Sequence, residues 1–378
     1  MKVYLDNAAT TPLDPQVFEA MRPFMLEDFG NPSSTHAHGR KVRAAIETSR
    51  KKIADLLNCT PGEIIFTSGG TEADNAILSG AITAFKIRNA ITSRIEHHAV
   101  ERTLEVIQHH GSVQVHYVET DNQGNINVEH LKKLLEQNSG ALVSLMHGNN
   151  EIGNLLDLQQ VGALCERYQS YFHSDTVQTV GHFRHDLKNL KVDAITAAAH
   201  KFHGPKGVGF MYLRKDKKIE PLLSGGAQER NMRGGTENTY GIIGLAAALE
   251  LAYKEMDEHI HYISGLKSRM IERLKEKIQG VEFNGVSANL DKSLYTVLNV
   301  SLPESEQNEM ILFNLDLSGI SASGGSACNS GASTGSHVLT AINPGSRRGA
   351  VRFSFSKYNT AEEIDYTVDK LASFYGKA

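Results

Sequence analysis

Short apolar runs alternate with longer stretches of helical period from about residue 60 to 255, the pattern of repeated strand–helix units and a mostly parallel sheet. The runs 63–67, 90–93, 114–118, 141–147, 171–175, 194–198 and 207–213 read as strands. From about 258 to 378 the pattern changes to a long charged helix (259–278), a strand (295–301), a helix (307–318) and a strand (350–355). The expected fold is of α/β class, with a large domain over 15–257 and a smaller α+β domain over 258–378 that residues 1–14 complete.

Helix punctuation agrees with this division. Asp14 before Pro15 is an N-cap followed by a first-turn proline, and Gly30 stands where that helix is expected to stop. Thr360 and Glu363 are spaced as a capping box that opens a terminal helix. From 318 to 336 the chain is mostly Ser, Gly and Ala around Cys328, a composition that offers little apolar surface to offset ordering entropy, so a mobile loop is expected there.

Composition narrows the functional classes. With 378 residues, 40% hydrophobic and 22% charged, the chain is ordinary globular material and too long for one typical core. A formal net charge of -4, with 39 basic and 43 acidic residues intermixed, provides no basic stripe for a phosphate backbone, so no nucleic-acid partner is expected. Neither a secretory leader nor a membrane-length apolar run is visible, and a cytoplasmic protein is expected. Three cysteines without Cys-x-x-Cys spacing argue against a disulfide framework or structural zinc, and the 17 histidines lack helical ligand spacing, so no metal is expected.

Five segments at the carboxyl ends of the expected strands could carry chemistry. Phe66 to Glu72 leads through Gly69 and Gly70 into a helix, where backbone N–H groups and the Thr71 hydroxyl could hold a phosphate or Thr71 could simply cap the turn. Lys201, beside His200, is either a solvated loop lysine or an amine placed to form an imine. Asp175 either caps the next helix, with Gln178 in the box position, or holds a pyridinium nitrogen protonated. His97 and the segment from Met146 through Asn150 to Glu151 lie in the same kind of place, where open α/β sheets gather their ligands.

Read together, the motifs Tyr4 to Pro12, Phe29 to Ser34, Thr67 to Glu72, Asn149 to Gly153, His200-Lys201, Arg233 to Asn238 and Gly325 to Cys328 resemble those of the cysteine desulfurases. These belong to the class V aminotransferase group of fold-type I pyridoxal-phosphate enzymes. The resemblance spans nearly the whole chain. It implies pyridoxal 5'-phosphate bound covalently at Lys201, paired through its ring nitrogen with Asp175, stacked on His97 and hydrogen-bonded by Gln178, with Asn150 close by. It also implies phosphate contacts from Gly70, Thr71 and His200, and from Thr236 of a second subunit in a homodimer.

By the same resemblance Arg352 forks the carboxylate of the substrate L-cysteine, Asn31 lies nearby, and Cys328 receives the sulfur as a persulfide for an acceptor protein. The acceptor could be an iron–sulfur scaffold or part of a transfer-RNA thiolation pathway. One departure stands out, since the family usually has Ser-Gly where this chain has Ala198-Ala199, and Thr196 or water is expected to make up the missing contact. Alternatives at this level are another enzyme of the group, such as a selenocysteine lyase or an aminotransferase, and a cofactor-free scaffold protein.

Overall fold

The computed structural model describes residues 1–111, 113–324 and 335–375. Its centre is a seven-stranded sheet in the order Ile64–Thr67, Gly209–Leu213, Ala194–Ala198, Tyr171–Asp175, Leu142–Ser144, Asn89–Thr92 and Gln114–Tyr117. Six strands run parallel, and Gly209–Leu213 lies antiparallel to both of its neighbours. All seven expected strands of this region are present, two with the expected bounds and the others with ends shifted by up to three residues. The central strands are buried along their whole length, which is why their sequences read as unbroken apolar or small runs.

Helices cover the sheet, and local sequence explains where several begin. Asp14 accepts a hydrogen bond from the Gln16 N–H at 2.8 Å and opens the helix Pro15–Leu26. That helix stops short of Gly30: the N–H groups of Glu27 and Asp28 both turn back to the Pro23 carbonyl, which closes the last turn. His36 caps the twenty-residue helix Ala37–Leu56, whose buried face packs on Thr239–Lys254. Arg50 on that helix forms a buried bidentate pair with Glu229, both contacts 2.7 Å, and Glu229 also accepts from the Phe66 N–H. This pair ties the glycine-rich segment around residue 230 to the edge of the sheet.

A second core forms around the antiparallel strands Gly349–Ser354, Val297–Leu302 and Glu282–Phe283 and the helices Met256–Lys277 and Ala361–Tyr375. Val3 and Leu5 are buried in it, and Val3–Tyr4 pairs in parallel with Ile320–Ser321. The helix Met256–Lys277 joins the two cores: Met256 packs in the large one and Ile263, Leu266 and Met270 in the other. We propose a domain boundary inside that helix, near residue 257, and this packing supports it. The Thr360–Glu363 capping box is formed in both directions, at 3.0 and 3.3 Å. The helix expected over 307–318 is instead a 3-10 turn, Glu306–Met310, running into a short α-helix, Ile311–Leu317.

Candidate active site

The carboxyl ends of five parallel strands lead to one cavity of about 370 Å³. From Thr67 the chain turns at Gly69 and starts the helix Gly70–Phe85, whose first N–H groups have no carbonyl one turn back to receive them. Two glycines allow this turn to pack. A Cβ on Gly209 would stand 2.3 Å from the Ala197 carbonyl oxygen and 2.9 Å from Gly69 Cα, and one on Gly70 would stand 2.7 Å from Val177 Cγ2. Gly70 and Thr71 both line the cavity. Gly69, not Thr71, is the N-cap; the Ser68 N–H is taken by Glu72, which Arg233 holds at 2.9 Å.

Beyond Asn89–Thr92, His97 caps the helix His98–His109 through its Nδ1, which accepts from the Ala99 N–H at 3.1 Å. One ring nitrogen of His97 and one carboxylate oxygen each of Asp175 and Asp74 lie within 4.8 Å of one another. Asp175 ends its strand buried, with Oδ1 accepting from the Val177 N–H at 2.9 Å. Burial first, and then Asp74, raises the proton affinity of Asp175, while His97 opposes the rise. Burial lowers the proton affinity of His97, with Asp175 working the other way.

Lys201 sits on a 3-10 turn directly after Ala194–Ala198. Its Nζ donates to the carbonyl oxygens of Ala8 at 2.6 Å and Ala9 at 2.9 Å, and its own carbonyl accepts from His182 Nε2 at 3.1 Å. The Ala8 oxygen is shared with Gln178 Nε2 at 3.0 Å. His200 reaches the Thr10 hydroxyl at 3.2 Å, and burial beside Lys201 pushes its imidazole down to about 4. Arg352, 2% exposed, donates to Asp6 Oδ1 at 2.8 Å and to the Asn150 carbonyl at 2.9 Å, and its Nε has no hydrogen-bond partner among the described residues.

Of the residues singled out in the sequence, Gly70, Thr71, His97, Asn150, Asp175, Gln178, His200, Lys201 and Arg352 all line this one cavity. Asn31 does not: it lies exposed in the turn before Ala37–Leu56, where its side chain accepts from the Ser33 N–H. Thr236 is also exposed, beside Ser68 and Asn238 in a separate pocket of about 110 Å³. Cys328 lies outside the described residues. The Thr196 hydroxyl lies 3.5 Å from Asp175 Oδ1, and Thr196 is not among the residues that line the cavity.

Two lining residues escaped the sequence reading: Asp74 and His337. Asp74 stands four positions after Gly70 on the same helix, and that spacing was the available signal. His337 follows the Ser/Gly-rich stretch and stacks against His98 with ring centroids 4.4 Å apart.

The donor set fits pyridoxal phosphate. Helix N–H groups beside a glycine that admits no side chain suit the phosphate, a buried carboxylate suits a protonated ring nitrogen, and the Lys201 amine belongs to the lining of the same cavity.

Comparison with known proteins agrees with this geometry. Residues 3–367 match the model of the family described as aminotransferase class-V. Cysteine desulfurase IscS of Dictyoglomus turgidum is 45% identical over 374 residues, covering 98% of this chain and 93% of its own. The putative cysteine desulfurase IscS 1 of Bacillus subtilis is 40% identical, with 96% of each chain covered. Among solved structures, a NifS-like protein superposes with a TM-score of 0.91 at 38% identity over 99% of both chains, and a NifS-like protein from Rickettsia africae with 0.88 at 30% over 100% of both. The chain belongs to the class-V aminotransferase family, and within it to the cysteine desulfurases. No helix among the described residues is long and apolar enough to cross a membrane.

Proposed function

We propose that this enzyme converts L-cysteine to L-alanine and moves the sulfur to Cys328 as a persulfide, with pyridoxal phosphate held at Lys201. The observation that carries the reading is the meeting of the Lys201 amine, the buried Asp175 carboxylate, the His97 imidazole and the start of the Gly70 helix at one cavity. The coenzyme, when bound, supplies an electron sink and a covalent tether for the substrate amine.

Each residue then has a definite task. With the coenzyme bound, Asp175 would keep the ring nitrogen protonated, His97 would support the ring, and Gly70, Thr71 and His200 would hold the phosphate. Lys201 Nζ, which donates to the Ala8 and Ala9 carbonyls, would tether the coenzyme and, as a neutral amine, would serve as general base toward the substrate α-proton. Arg352 offers a planar fork to the substrate carboxylate. The Cys328 thiolate attacks the substrate sulfur; a sulfur–sulfur bond forms, the carbon–sulfur bond breaks, and its electron pair stays with carbon, which takes up protons to leave as alanine. The sulfur goes next to an acceptor protein, such as an iron–sulfur scaffold or a component of transfer-RNA thiolation.

The other two cysteines are poor candidates for this step. Burial pushes the Cys59 thiol up to about 12 and that of Cys165 higher still, and only a thiolate is a useful nucleophile. We also assign Thr236 to the partner's site in a homodimer; its exposed position outside the cavity supports that role. The test is to incubate enzyme with L-cysteine and measure alanine and protein-bound persulfide. One persulfide at Cys328 and loss of turnover in Cys328→Ser are expected, while full turnover in that variant overturns the assignment.

A further inference from the structure

Asp74 is a lining residue to which the mechanism above gives no task. It sits on the helix Gly70–Phe85, 1% exposed, with an oxygen within 4.8 Å of both His97 and Asp175. Two carboxylates therefore stand close together in a buried pocket, where two negative charges repel with little water to screen them. Its other neighbour is His173 on the strand Tyr171–Asp175. His173 Nε2 is 3.3 Å from Asp74 Oδ1, and neither atom makes a well-aligned hydrogen bond among the described residues. His173 Nδ1 lies 2.9 Å from the Ser144 hydroxyl.

The remaining groups around the pair leave Asp74 as the natural place for a proton. Lys201 Nζ is directed to the Ala8 and Ala9 carbonyls. Glu96, the third buried acid nearby, is likewise pushed up by burial, although it accepts from the Ser93 hydroxyl and the Met146 N–H, contacts that work the other way. Asp175 accepts from the Val177 N–H, whereas Asp74 accepts from no backbone N–H among the described residues. The helix sets a further constraint: Asp74 is about one turn, roughly 5.4 Å, along the axis from the N–H groups assigned to the phosphate. An anion at Asp74 would oppose that phosphate.

We infer that Asp74 is a positioning residue that stands un-ionised, so that the ring nitrogen meets a single negative charge, on Asp175, held in place by a neutral neighbour. The inference rests on the coenzyme assignment above. Burial pushes the Asp74 carboxyl up to about 8, with a hydrogen bond from the neighbouring Thr196 hydroxyl working the other way. An un-ionised Asp74 can donate its proton to His173 Nε2, whose Nδ1–H then donates to the Ser144 oxygen, which completes the buried chain without a net charge.

Infrared difference spectroscopy of the holoenzyme at neutral pH tests this directly. Subtracting the spectrum of Asp74→Asn from that of the wild type is expected to leave the carbonyl stretch of one protonated carboxylic acid. Asp74→Ala is expected to weaken coenzyme binding by about tenfold relative to Asp74→Asn, one logarithmic unit, because only the amide keeps the neutral hydrogen-bonding shape. Absence of the band from the difference spectrum, or a band that persists in Asp74→Asn and disappears in Asp175→Asn, overturns the inference. If Asp74→Ala does not fold, the wild type and the Asn variant still decide it. A chain that takes up no coenzyme in any form overturns the proposed function instead.

Discussion

Arg352 Nη2 lies 2.8 Å from Asp6 Oδ1 while Nη1 lies 2.9 Å from the Asn150 carbonyl, so one buried guanidinium joins the N-terminal segment, the loop after Leu142–Ser144 and the strand Gly349–Ser354 at the cavity wall. Asp6 in turn accepts from the Ser323 hydroxyl at 2.9 Å. In the proposed substrate-binding role, these contacts would orient the guanidinium beforehand and lower the ordering cost of binding a carboxylate. Arg352→Lys keeps the charge and loses the fork. We expect the KM for L-cysteine to rise by about 10- to 100-fold, the equivalent of one hydrogen bond to a charged group, with a smaller change in kcat. Steady-state kinetics on alanine formation check this, and an unchanged KM would remove Arg352 from substrate binding.

Gly70 is a tightly packed point of the proposed phosphate cradle. Adding one methyl there drives Val177 toward the cavity, an overpacking that costs about 1 to 3 kcal/mol. Gly70→Ala is therefore expected to weaken coenzyme affinity by roughly tenfold or more. Titration of the apoprotein, followed by the visible absorbance of the bound coenzyme, measures the effect; affinity equal to the wild type would place the phosphate elsewhere.

Burial holds His173, His182 and His185 down to about 4. Their folded values lie below the ordinary value of about 6.5, so the stability they contribute is complete above pH 6.5 and is lost as pH falls toward 4. Asp74 and Glu96, pushed up to about 8 by burial, act in the opposite sense, so only a difference between variants isolates one imidazole. His185→Asn keeps a donor for the Phe183 carbonyl that His185 Nδ1 reaches at 3.0 Å. Relative to the wild type, this variant is expected to gain about 2 kcal/mol between pH 6.5 and pH 5, read from urea unfolding. A pH-independent difference would mean that His185 is not held neutral.

Much of the fold was legible because strands buried on both faces must be almost continuously apolar, as at 171–175 and 194–198. The antiparallel course of Gly209–Leu213 was not, since a strand's direction depends on which neighbour it pairs with and leaves no local mark. The helix Ala37–Leu56 was also missed: polar residues dominate it, and its narrow apolar stripe is set by Val42, Ile46 and Ile53. At the site, residues at strand ends were readable as a group, because a parallel sheet brings those ends together. Asp74 was hidden one turn inside a helix, and Asn31 and Thr236 cannot be placed against the cavity from a single chain.

The central claim is that the Lys201 amine condenses with the coenzyme aldehyde. Reduction of the coenzyme-loaded protein with borohydride, followed by acid digestion and mass spectrometry of the peptides, tests it most directly. The account predicts one pyridoxyl-phosphate adduct, on Lys201, which disappears in Lys201→Ala. Saturating coenzyme with no adduct at position 201, or an adduct on a different lysine, would contradict it.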